Sequence, residues 1–273
     1  MIIDGHHHIE AGHSHILERM DVLGIDKSIL IGVGVSDISV VTVHDSLIFQ
    51  SDFLLRTVGT AKMRSLVRGG TLQNVLLENP INDRVLDALK AEPNRFLGFV
   101  FVNPESDLCF QEIERCLDSG MCGIKLSLLQ YPTNLAGPRM MKICEIARER
   151  KIPVFFHQGL TKEASDPSRM INDFPDVTFI IAHAGMQYYR QAIILAQTKK
   201  NVYLDTSSWI VTQRKLKNLY RLLGPEKLVF GTDVPVMAAD QSIGLKKINN
   251  LHLSPSEEEL ILGGNLQKIL DIN

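Results

Sequence analysis

At 273 residues the chain is long enough for one large α/β domain, and 45% hydrophobic with 22% charged residues supplies a sizeable apolar core. Twenty-nine basic against 31 acidic side chains leave a formal net charge of −2, so no nucleic acid and no anionic membrane surface is expected as partner. No apolar run approaches the roughly 20 residues of a membrane span, and the N-terminus lacks the basic and apolar regions of a signal peptide; a cytoplasmic location is expected.

Eight short apolar runs read as strands: 1–5, 27–33, 95–102, 122–127, 152–157, 177–183, 202–206 and 227–233. Most are rich in Val, Ile, Leu and Phe, as strands buried on both faces should be. Amphipathic stretches lie between them. In 105–119 the residues Cys109, Ile113, Cys116 and Leu117 recur at helical spacing, and in 137–150 Met140, Ile143, Cys144 and Ala147 do the same. None of the four cysteines, which include Cys122, forms a Cys-x-x-Cys pair, and they read as reduced core residues. Strands and helices alternating about every 25 residues imply a parallel sheet. The fold class is α/β, and eight units favour a (β/α)8 TIM barrel with an insertion after strand 2. The alternative, an open doubly wound sheet, lacks a Gly-x-Gly-x-x-Gly after the first strand.

Residues 1–273 are read as one barrel domain. Within it, 34–78 is too long for a simple crossover and carries Arg56, Lys62, Arg64 and Arg68. A lid, a contact in a homodimer and a solvated helical excursion all fit that stretch. The tail SPSEEELILGGNLQKILDI opens with a Ser-Pro-Ser helix entry, and Leu260, Ile261, Leu266 and Ile269 are expected to pack it on the barrel's outside.

The opening MIIDGHHHIE poses the functional question: a purification tag, a polar loop or a metal site. The three histidines follow a short apolar run, as where a strand enters its loop. Strand alternation points His6 and His8 one way and His7 the other. At corresponding ends of other strands stand Lys125, His157, His183 and Asp233. Each alone has a bland reading: a hydrogen-bonded structural histidine, a surface lysine, a helix N-cap aspartate. In a parallel barrel all strands point the same way, so these residues meet at one mouth. Together they read as a metal site. His13, His15, His44 and His252 fall outside the pattern and read as surface or loop residues, although His13 or His44 could reach the pocket. Neutral imidazoles and a carboxylate suit a divalent metal, zinc first, with Mn²⁺, Fe²⁺ or Co²⁺ also suited. Such an ion lowers the pKa of a bound water toward ~7. Asp233 can hold or receive a proton, and His183 can polarise the substrate or relay a proton.

At this point the chain resembles the amidohydrolase superfamily, and within it the amidohydrolase-related family that includes aminocarboxymuconate-semialdehyde decarboxylase. IDGHHHI resembles that family's Asp-x-His-x-His, FFHQG and IIAHAG its histidines after strands five and six, FGTDVP its Gly-[Ser/Thr]-Asp-x-Pro, and EELILGGNLQKIL its closing helix. The resemblance implies a (β/α)8 barrel with His6, His8, His157 and Asp233 as metal ligands and His183 as a catalytic residue. Lys125 takes the place where some members carry a carboxylated lysine bridging two metals; one ion is more usual in this branch. The 34–78 insertion resembles nothing in the family. The activity expected first is metal-dependent hydrolysis of a C–N or ester/lactone bond in a small, carboxylated substrate by a metal-activated water. Non-oxidative decarboxylation at the same site is the alternative.

Overall fold

Strand β1 (Ile3–His8) is the hub of the architecture. In the computed structural model, which describes residues 1–40, 51–68, 70 and 72–272, all eight expected strands form. With β1 they are β2 (Lys27–Ile31), β5 (Phe96–Val102), β6 (Gly123–Ser127), β7 (Val154–His157), β8 (Phe179–Ile181), β9 (Val202–Asp205) and β10 (Leu228–Val229). They hydrogen-bond in that order, each neighbouring pair parallel. Bonds from Gly5 N to Phe230 O at 3.0 Å and from His8 N to Val234 O at 2.8 Å join the last segment back to β1. The result is an eight-stranded parallel barrel.

Period-two alternation sorts the apolar residues into two clusters. Ile29, Ile31, Phe99, Phe101, Phe155, Ile180 and Val229 belong to the inner one. Their strand neighbours Leu30, Val100, Val102, Val154, Phe156, Phe179, Ile181, Leu228 and Phe230 pack with the surrounding helices in the outer one. Ile124 and Leu126 belong to the outer cluster, so the parity of β6 turns Lys125 inward. Helix Cys109–Asp118 buries the expected stripe Cys109, Ile113, Cys116 and Leu117. Helix Pro138–Arg150 buries Met140, Ile143, Cys144 and Ala147, and Pro138 starts it where a backbone N–H would have no intrahelical partner. All four cysteines are free thiols. Among the described residues no helix is long and apolar enough to cross a membrane.

Two details differ from the sequence reading. The histidine run lies inside β1 rather than in a loop after it. The tail enters helix Pro255–Glu259 through a Ser254–Glu257 capping box as expected. Of the four residues expected on the outside, Ile261 joins the outer layer, together with Leu262; Leu266 is instead buried in the inner cluster, with Ile269 half-buried beside it. Gly5 makes room for this, since a Cβ there would stand 2.8 Å from Leu266 Cδ1. The helix N-cap role weighed for Asp233 alone falls to Asp240, which caps helix Gln241–Asn249 by accepting from Ser242 N.

Between β2 and β5 the chain forms an antiparallel pair, β3 (Val33–Val35) with β4 (Leu76–Ile81). The Tyr131 hydroxyl pins it to the turn after β6 by donating to Gly34 O at 3.0 Å and Leu77 O at 2.8 Å. A helical stretch at 52–68 buries Leu55 against Met186, Ile210 and Met237. Arg56, Lys62 and Arg64 lie on its exposed side. His44 and the Arg68 side chain lie outside the described residues.

Candidate metal centre and pocket

The site begins with an irregularity in β1. Asp4 pairs with Ser28 and His7 with Leu30, so β1 spends one residue more than β2 over the same interval. A bulge of this kind reverses side-chain parity. Asp4 therefore shares a side with His7, their side chains 3.4 Å apart, while His6 and His8 face the interior. Asp4 accepts from Thr232 N (3.0 Å), Thr232 Oγ1 (2.6 Å) and Gln241 Nε2 (3.0 Å). These bonds clamp the turn that carries Asp233 against β1. Asp233 itself has a left-handed backbone, φ 63°, and its N–H donates to His6 O at 2.6 Å.

Each inward histidine is oriented through Nδ1. His8 donates to Gly32 O at 2.9 Å, and His6 faces Asp205 Oδ2 and Ser207 Oγ, both at 3.1 Å. Those partners fix the tautomer and turn the Nε2 lone pairs into the barrel mouth. The two Nε2 atoms converge on one carboxylate oxygen, Asp233 Oδ1, at 3.3 Å from His6 and 3.4 Å from His8.

His183 arrives by a strained route. It lies past the end of β8 in a left-handed turn: φ is 48° at His183, 50° at Ala184 and 82° at Gly185. Left-handed backbone at non-glycine residues is unfavourable by about 1–3 kcal/mol each, and persists where the surroundings enforce it. Here Asp205 Oδ2 accepts from His183 N at 3.0 Å and Ser207 Oγ lies 2.8 Å from its Nδ1. The ring then presents Nε2 to Asp233 Oδ2 at 3.4 Å. His157, at the end of β7, stands edge-on to the His183 ring with centroids 4.4 Å apart. Lys125 places Nζ 3.1 Å from His6 Nε2 and 3.8 Å from the Phe155 ring centroid.

Burial is the main force on every charge here. It drives His6, His157 and His183 well below the ordinary histidine pKa, and His8 down to about 3, with the Lys125 charge adding to the effect. Burial also raises Asp233 well above the usual carboxylate range and lowers Lys125 to about 8, the latter opposed by Asp233 and Asp205. Neutral imidazoles with free lone pairs are metal donors. The donor atoms of His6, His8 and Asp233 lie within 4.8 Å of one another, and so do those of His6, His183 and Asp205. His157 falls outside both groups, but its Nδ1, like His183 Nε2, is buried without a hydrogen-bond partner among the described residues. This set of imidazole and carboxylate donors, two of them without a hydrogen-bond partner among the described residues, fits a divalent cation.

The structure thus brings His6, His8, Lys125, His157, His183 and Asp233 to one mouth. Sequence reasoning missed Asp205 and Ser207, which orient two of the histidines. The signal was an acidic residue at the end of VYLD, the one late strand assigned no site residue. His13 packs against Phe96, and His15 and His252 are exposed.

Above these groups opens a cavity of about 130 Å³. His8, Lys125, His157 and Asp233 line it, and most of the remaining wall is apolar: Val35, Leu55, Leu129, Leu160, Ile210, Met237. The family described as amidohydrolase matches residues 59–272. The chain belongs to the amidohydrolase family. The matched span carries Lys125, His157, His183, Asp205 and Asp233 but begins after the β1 histidines. No curated protein matches this family member. Its fold is shared by an uncharacterised TIM-barrel protein from Bordetella bronchiseptica (16% identity, 99% of this chain and 98% of that one, TM-score 0.71). A 4-oxalomesaconate hydratase from Rhodopseudomonas palustris is similar at 17% identity over 99% and 96% of the two chains, TM-score 0.66. So is a dihydroxybenzoic acid decarboxylase from Polaromonas, solved with manganese and 2-nitroresorcinol (16% identity, 99% and 96%, TM-score 0.66).

Proposed function

We propose that this protein is a metal-dependent enzyme acting on a small carboxylic acid with an apolar body, and that non-oxidative decarboxylation is its reaction. The observation that carries the reading is the apolar pocket with one buried cation, Lys125, beside the histidine–aspartate group. His6, His8 and Asp233 would hold the ion, with His157 adjacent; the donor set suits zinc, and manganese is the ion bound in the Polaromonas decarboxylase. A bound divalent cation supplies Lewis acidity toward a substrate oxygen.

The chain's own groups supply the rest. Lys125 meets the substrate carboxylate as an ammonium, which favours a single metal over the alternative in which a carboxylated Lys125 bridges two. The apolar wall strips water from that carboxylate, and its negative charge is less favourable there than in solution. The C–C bond breaks, CO₂ leaves, and the electron pair stays on the substrate carbon. Asp233, which lines the pocket, delivers a proton to that carbon, and His183, 3.4 Å from Asp233, relays its replacement.

Hydrolysis of an amide, ester or lactone is the second reading, favoured by the same His183–Asp233 contact, which suits proton removal from an attacking water. The test is turnover of aromatic and aliphatic acids, lactones and N-acyl amides by metal-loaded protein in ¹⁸O-labelled water. Carbon dioxide release with no label in the organic product supports decarboxylation; label in a product carboxylate establishes hydrolysis instead.

A further inference from the structure

Apart from His157, the residues lining the pocket include two with a buried side-chain polar atom that has no hydrogen-bond partner among the described residues: Gln130 Oε1 and Gln187 Nε2. Unpaired buried amide atoms are destabilising, and folded proteins contain few of them. The His157 orphan is accounted for by the metal reading. The two glutamines are not.

Both sit on firmly placed backbone. Gln130 lies in the turn after β6, where its own N–H and that of Tyr131 donate to Ser127 O at 3.0 and 2.8 Å. The Tyr131 hydroxyl then ties this turn to β3 and β4. Gly34 leaves the space into which Gln130 reaches, since a Cβ there would stand 3.0 Å from Gln130 Oε1. Gln187 follows the left-handed turn at 183–186, whose last residue, Met186, has φ 49° and ψ −116°. The same turn that aims His183 at Asp233 therefore brings Gln187 into the pocket wall. Leu55, Leu129, Met186 and Ile210 line the same pocket.

We propose that Gln130 and Gln187 are specificity residues that read a polar substituent on the apolar body of the substrate. The proposal deepens the reading of this pocket as the substrate site by naming a second polar group on the ligand, apart from the acid. Gln130 Oε1 is an acceptor and Gln187 Nε2 a donor. A hydroxyl, which both donates and accepts, suits either atom. A site built to hydrogen-bond a hydroxyl discriminates against the analogue that lacks it, because the protein's own polar atoms then stay unpaired.

The experiment uses neutral probes, on which Lys125 has no ionic hold. Binding of toluene and of the three methylphenols to metal-loaded full-length protein is measured by calorimetry for the wild type, Gln130→Leu and Gln187→Leu. Melting temperatures are recorded without ligand. At least one methylphenol should bind the wild type about tenfold or more tighter than toluene. Each variant should cut that preference to about twofold or less with toluene affinity kept, and should melt no lower than the wild type, because the amide atom it loses had no partner. The proposal is overturned if the wild type does not prefer any methylphenol, if either variant keeps the preference, or if either variant melts several degrees lower, which would make the amides structural. Benzoate is the separate control for the acid. Benzoate binding no tighter than toluene, with the methylphenol preference intact, would sink the carboxylate reading and leave the glutamines standing.

Discussion

Asp205 connects more of the site than any residue legible in a motif. Its Oδ2 accepts from Ser207 Oγ (2.5 Å) and His183 N (3.0 Å) and faces His6 Nδ1 (3.1 Å), so one carboxylate sets the tautomer of one ring and the backbone of another. Asp205→Asn keeps the shape but offers an amide where His6 needs an acceptor. Metal affinity should weaken about 10- to 100-fold, read by competition against a chelating dye; wild-type affinity would remove Asp205 from the orienting role. Asp233→Asn tests a different function. At full metal occupancy its kcat should fall by about 10² or more, with substrate binding affected less. An unchanged kcat would take Asp233 out of the proton transfer. Which side chains face the mouth was readable because strand parity is local: alternation separates His6 and His8 from His7. Asp205 was not readable, because nothing near it in sequence shows that it orients histidines 199 and 22 positions away. Nor was the backbone at His183, where only Gly185 in IIAHAG hints at a left-handed turn.

At the scale of elements, the loops are held by charges placed at helix ends. Asp240 caps helix Gln241–Asn249 by accepting from Ser242 N at 2.9 Å, and its carboxylate receives Arg19 Nε (2.6 Å) and Nη2 (2.8 Å) from helix Ser14–Leu23. The next residue, Gln241, bonds to Asp4, so this cap braces the β1 clamp. The Arg19 guanidinium holds Asp240 well below the usual carboxylate range. A depressed folded-state pKa adds stability that is complete above the unfolded value, about 3.9, and is lost as pH falls through the folded one. The wild type should therefore melt above Asp240→Asn by the same margin at pH 7 and pH 5, with the margin shrinking below about pH 4. A margin that grows on acidification would contradict the assignment. The β1 bulge belongs to this scale too. It shows only when β1 is laid against β2, and it alone explains why Asp4, two residues before His6, turns away from it to clamp the Thr232 turn.

For the whole molecule, eight buried strands and the helices between them were legible because each repeats a local pattern, apolar runs for parallel strands and 3.6-residue stripes for their covers. The tail was harder. Leu266 reads as one more helix-face leucine, and its entry into the inner cluster depends on a missing side chain at Gly5, over 250 positions earlier. The pocket roof was also beyond local pattern: Leu55, Met186, Ile210 and Met237 come from four separate segments and meet only in the folded chain. What unites these levels is a barrel mouth where the inward histidines of β1 and Asp233 converge, the group proposed to hold a divalent cation. The most direct test is elemental analysis of purified wild type, His8→Ala and His7→Gln. The account predicts bound transition metal in the wild type, most of it lost in His8→Ala and nearly all retained in His7→Gln, whose side chain lies with Asp4 and Gln241. Equal metal in all three, or loss in His7→Gln as complete as in His8→Ala, would contradict it.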